Sequence, residues 1–211
     1  MTTRRKSLLI LALALAAPLV AASASGADSA FAQTLAPVTA ADRSIGRADA
    51  PVTVVEYASF ACHHCADWHL FVYPTFKTRF IDTGQVRLVF RNLPTQPEDM
   101  SMSGAALARC AAPERFFEVT SALMLGQAAV LRGGTREDWY APAIAVSGRT
   151  RAQLEACAAT PATLAAINRD VDSAIAAGAN TTPAFFVNGR RVTDRSLGGL
   201  EVAIRAAAAA R

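Results

Sequence analysis

A Cys-x-x-Cys placed where a strand hands over to a helix limits the possible folds of this chain more than any other feature. Val52-Thr53-Val54-Val55-Glu56-Tyr57 reads as a β-strand, and Cys62-His63-His64-Cys65 follows it. After the tetrad, His69, Val72, Phe76 and Phe80 fall on one face at spacings of three and four. That pattern predicts a helix to about Thr78, with Pro74 expected to kink it. The first sulfur then sits at a helix N-terminus, where unpaired N–H groups and the helix dipole favour negative charge. A thiolate is such a charge, and it is the species that attacks disulfides. The residues point to redox chemistry on sulfur.

The rest of the chain can be read around that junction. A polar lead-in covers Thr39 to Ala50, and Val86-Arg87-Leu88-Val89-Phe90 alternates as a strand should. From about Pro97 to Thr160 no strand pattern appears. Stretches at 105–111, 116–125, 139–146 and 152–158 read as short helices, punctuated by Gly133-Gly134 and Gly148. Thr160 and Pro161 open a clear helix whose Leu164, Ile167, Val171 and Ile175 repeat at three and four, and Gly178 is placed to end it. Thr182-Pro183 precedes the apolar run Ala184 to Val187. Asn188-Gly189 supplies a hairpin turn into Arg190-Arg191-Val192, and a last helix spans about Ser196 to Ala209. This order predicts an α/β sandwich on one mixed sheet with an all-helical insert.

The N-terminus reads as a leader rather than as part of the fold. Arg4, Arg5 and Lys6 precede the uncharged apolar run Ser7 to Ala22, and Ala30-Phe31-Ala32 offers a small-residue cleavage site. Ala22-Ser23-Ala24 is a second candidate site, and Thr3 to Leu8 partly resembles a twin-arginine signal. Export to the periplasm is therefore expected. The formal charge of +4 belongs partly to this leader, because residues 1–32 hold three basic residues and one acid. No basic run interleaved with aromatics marks a nucleic-acid surface. The remaining basic residues are expected on a solvated face.

Four cysteines in an exported chain suggest either two disulfides or one catalytic and one structural pair. The shared turn of Cys62 and Cys65 favours the second option. Cys62, His63, His64, Cys65 and His69 are also dense in metal-ligand types. Adjacent residues cannot all face one ion, however, and no second ligand pair is evident, so no metal is expected.

The segment Ala50 to Cys65 resembles the active-site region of DsbA-family thiol–disulfide oxidoreductases. Thr182-Pro183-Ala184-Phe185-Phe186-Val187-Asn188-Gly189 resembles the same family's cis-proline segment. The resemblance implies a thioredoxin-like fold at residues 33–96 and 161–211, with residues 97–160 as its helical insertion. It implies Cys62 as the nucleophile and Cys65 as the resolving thiol. His64 would tune the Cys62 thiolate, and Glu56 would be a buried acid moving protons beneath Cys65. Thr182 and Pro183 would face the substrate peptide. His63 departs from the proline often found at that position. His69 reads as a packed core residue rather than a catalyst. Cys110 and Cys157, both in the insert, would form a structural disulfide, since an exported protein seldom keeps two free thiols.

The activity implied is oxidation of thiols in unfolded or partly folded exported proteins, with no cofactor and with a membrane re-oxidant of the DsbB type. A disulfide isomerase or reductase would use the same residues. Isomerases of this kind usually add an N-terminal dimerisation module, and residues 33–50 are too few for one.

Overall fold

The computed structural model of the protein describes residues 35–210. The expected leader, residues 1–32, and its cleavage sites lie outside the described residues. Among the described residues, no helix is long and apolar enough to cross a membrane.

Five strands form one mixed sheet: β1 (Arg43–Ile45), β2 (Val52–Ala58), β3 (Val86–Asn92), β4 (Ala184–Val187) and β5 (Arg190–Val192), in the order β1-β3-β2-β4-β5. β2 and β3 are parallel, from Val52 beside Val86 to Ala58 beside Asn92, and the other neighbours are antiparallel. A parallel pair needs a crossover. Here it is helical: α1 (His63–Asp67), a π-turn at Trp68–Val72, α2 (Tyr73–Phe76) and a second π-turn at Lys77–Ile81.

Strand alternation sorts the core into two layers. Val52, Val54, Leu88, Phe90, Phe185 and Val187 enter the larger one. Leu200 and Ile204 of α8 (Leu197–Ala209) enter the same layer. Val55, Tyr57, Val89 and Phe186 enter a smaller layer with Ala174 of α7 (Pro161–Ala176). Glu56 is thereby turned towards the crossover helix.

Between β3 and α7 stand α3 (Glu98–Cys110), α4 (Phe116–Leu131), α5 (Arg136–Ala145) and α6 (Arg151–Ala158). The chain is thus α/β and thioredoxin-like, with an all-helical insertion. Local signals set the helix starts. Thr135, Thr150 and Thr160 accept N-cap hydrogen bonds, and Gln153 completes a capping box with Thr150. A disulfide joins Cys110 of α3 to Cys157 of α6, with Cα atoms 5.8 Å apart. Asp170 of α7 accepts from the Asn92 N–H and Nδ2 at 2.9 Å each, and it pairs with Arg109 of α3. One carboxylate therefore links sheet, insertion and α7.

Three features differ from the sequence reading. β1 lies within the stretch whose sequence marks a polar lead-in, because three residues of middling burial show no alternation. The kink expected at Pro74 is a change of helix type: the Tyr73 N–H reaches back five residues to the Trp68 carbonyl. Pro74 has no N–H of its own, and its ring would press on a carbonyl four residues back, so the turn widens before it. The basic residues do not all lie on a solvated face. Arg91 and Arg109 are buried, at 3% and 7% exposure. Arg91 Nε donates to Asp42 at 2.8 Å, and Arg91 Nη1 donates to the Tyr57 hydroxyl at 3.1 Å. A buried guanidinium is tolerable because such partners use its donors.

Candidate active site

The nucleophile's position follows from the helix start. Cys62 is the N-cap of α1, with extended backbone at φ −87° and ψ 114°, and its carbonyl accepts from Cys65 N at 3.0 Å and Ala66 N at 3.2 Å. Cys62 is half-buried, Cys65 is fully buried, and both are free thiols in this structure. A side-chain hydrogen bond from Cys65 lowers the Cys62 thiol to about 5, with further help from the Thr182 side chain and the backbone N–H groups of Cys65 and His64, against the opposing effect of burial. Cys65 moves the other way. Burial pushes its thiol well above the ordinary value, the bond to Cys62 adds to the rise, and the charge of Glu56 contributes last.

Sheet register brings a distant loop to this sulfur. β4 runs antiparallel to β2, with Ala184 beside Tyr57, so the residues before β4 sit at the end of β2 that leads into the tetrad. Cys62 Sγ donates to the Thr182 carbonyl at 3.5 Å. The Thr182–Pro183 peptide is cis, as is Gln96–Pro97, for which the sequence carries no local sign. Arg195, also unanticipated, donates to the Thr182 carbonyl at 3.4 Å and to the Pro183 carbonyl at 3.3 Å. A shallow groove of about 260 Å³ runs beside Pro183, lined by His64, Asp67, Trp68, Phe71, Val72 and Arg195. Phe71 is 77% exposed along it.

The histidines take three different environments. His63 and His64 are exposed and lie ring against ring, with centroids 3.9 Å apart. What His64 visibly brings to Cys62 is its backbone N–H. His69 is buried and faces Glu56, with Nε2 3.1 Å and 3.2 Å from the two carboxylate oxygens. The sequence placed both residues on inward faces but not against each other. Period 2 along β2 and helical spacing from Cys62 fix those faces separately, and only the packed structure joins them. Among the described residues, no group of three or more His, Cys, Asp or Glu side chains is arranged to hold a metal ion.

Comparison with known proteins agrees with this geometry. The thioredoxin family profile matches residues 39–206. A Bacillus cereus protein named for disulfide bond formation, protein D, is 42% identical over 64 residues, which are 30% of this chain and 30% of that protein. The aligned part is less than two thirds of that relative's own length. BdbD from Bacillus subtilis superposes with a TM-score of 0.71 at 18% identity, over 83% of this chain and 97% of that one. Alpha-DsbA1 of Wolbachia pipientis gives 0.68 at 23% identity, over 83% and 94%. With its profile match spanning sheet and insertion alike, the chain belongs to the thioredoxin family and carries the DsbA-like form of its fold.

Proposed function

We propose that the protein is an exported thiol:disulfide oxidoreductase that donates a Cys62–Cys65 disulfide to proteins with free thiols. The observation that carries this reading is the opposed pair of sulfurs: an accessible Cys62 whose thiol is lowered to about 5, over a Cys65 that is buried and held as a thiol. A substrate thiolate attacks Cys62 Sγ, a mixed disulfide forms, and Cys65 leaves as a thiolate that takes up a proton. A second substrate thiolate then attacks the substrate's own sulfur and expels Cys62. The substrate loses two electrons and gains a disulfide, and the enzyme becomes a dithiol. A sulfur of low pKa is a good leaving group, which favours this direction.

Glu56, with His69 beside it, would take and return the Cys65 proton. Thr182 and Pro183 would align an extended substrate segment along the adjoining groove, by main-chain hydrogen bonding. His64 would act on Cys62 through its place at the helix start. The site would work in the periplasm on exported proteins, and a membrane partner of the DsbB type would re-oxidise it.

The equilibrium of the Cys62/Cys65 pair with glutathione tests the direction. A potential well above that of thioredoxin, about −270 mV, is expected. A value at or below it would end the oxidase reading in favour of a reductase. Cys65→Ser should in addition accumulate a mixed disulfide when its Cys62 thiolate attacks a peptide that carries a disulfide, with one peptide sulfur released as a thiol.

A further inference from the structure

One polar side chain of the helical insertion ends on the tetrad's own turn. Gln127 stands on α4, where the buried positions Phe116, Val119, Thr120, Leu123, Met124 and Gln127 recur at spacings of three and four. It is 1% exposed, an unusual depth for an amide. Its Nε2 donates to the Phe60 carbonyl at 2.8 Å and to the Cys62 carbonyl at 3.1 Å. The second of these is the carbonyl that also receives the Cys65 and Ala66 N–H groups. A buried amide is tolerated only where its hydrogen bonds are made, and this one directs both donors at a single turn.

We propose that Gln127 is a positioning residue for the nucleophile, the clamp by which the helical insertion fixes the turn that presents Cys62. The proposal rests on the reading of Cys62 as the exchanging sulfur and gives the insertion a part in setting its reactivity. The His64 and Cys65 N–H groups stabilise a thiolate only while they point at Sγ, because charge-assisted hydrogen bonds weaken steeply off line. With the Phe60 and Cys62 carbonyls released, the turn loosens and the thiolate loses part of that support. Cys62 then ionises at higher pH and leaves less readily, and the disulfide becomes less oxidising.

Gln127→Met keeps the length of the side chain without its donors, and Gln127→Ala removes both. Val119→Ala, on the same buried face of α4, perturbs the insertion while leaving the clamp intact. The readouts on the reduced full chain are the thiolate absorbance titration of Cys62 and the equilibrium with glutathione, with thermal unfolding recorded for each variant. Both Gln127 variants should raise the Cys62 midpoint by about half a unit or more and shift the glutathione equilibrium towards the disulfide by about threefold. Val119→Ala should lower thermal stability and leave the Cys62 midpoint in place. A Gln127→Met protein that titrates as the wild type overturns the proposal, as does an equal shift in Val119→Ala. A wild-type potential like that of thioredoxin would end the oxidase reading and leave this comparison standing.

Discussion

His69 Nε2 lies within 3.2 Å of both carboxylate oxygens of Glu56, and neither side chain reaches solvent. The ring's Nδ1 has no partner among the described residues. A buried ring lone pair without a donor is easier to tolerate than a buried N–H without an acceptor, so Nε2 carries the hydrogen and donates it to Glu56. His69→Phe would strip Glu56 of that donor and should destabilise the protein by about 1–3 kcal/mol. Glu56→Leu combined with His69→Phe should recover part of the loss. Strict additivity in a urea double-mutant cycle would show that the two residues do not act as a pair.

The Cys62 thiol makes the stability of the reduced protein depend on pH in a defined sense. It ionises near 5 in the fold, against 9.0 for an unperturbed thiol. The unfolded chain therefore binds the extra proton between those values, and stability rises with pH across that window. Below about 5 the contribution is gone. The raised Cys65 thiol opposes it only above the ordinary thiol range. Urea midpoints of reduced wild type and Cys62→Ala should converge on acidification to pH about 5 and separate towards pH 8. A gap that does not change with pH would contradict the assignment.

Asp170 gathers Asn92 of β3 and Arg109 of α3 on one carboxylate oxygen. Asp170→Ala leaves a buried guanidinium without its counter-charge, a loss of about 3–5 kcal/mol. Asp170→Asn keeps an oxygen for at least one donor and should lose less. Chemical denaturation that ranks the two variants in the opposite order would refute the hub.

The Cys110–Cys157 disulfide spans 47 residues of sequence. Closing a loop of that length restricts the unfolded chain, for about 4 kcal/mol in the chain-entropy model. Cys110→Ala with Cys157→Ala should lower stability by that order while Cys62 still titrates near 5. A thermal midpoint unchanged by the double replacement would argue against it.

Much of this architecture was legible because it rests on local rules. Period 2 in Val52 to Tyr57, the caps at Thr160 and Ser196, and the Asn188-Gly189 turn, with φ of 44° and 83°, each state their structure within a few residues. The illegible parts depend on partners far away in the chain. β1 becomes a strand only because β3 offers it an edge. Arg91 and Arg109 are buried only because Asp42 and Asp170 meet them. Gln127 gave a readable signal, a polar residue in phase with the buried face of α4, but nothing in the sequence says that Phe60 and Cys62 lie opposite.

The burial of Cys65 determines what any reagent can count. A bulky alkylating agent should score one thiol in the native dithiol protein and two after unfolding, since only Cys62 meets the solvent. Every electron pair entering or leaving the site must then pass through a single sulfur atom. A small adduct at Cys62 would silence both cysteines, so the pair has one address although it has two atoms.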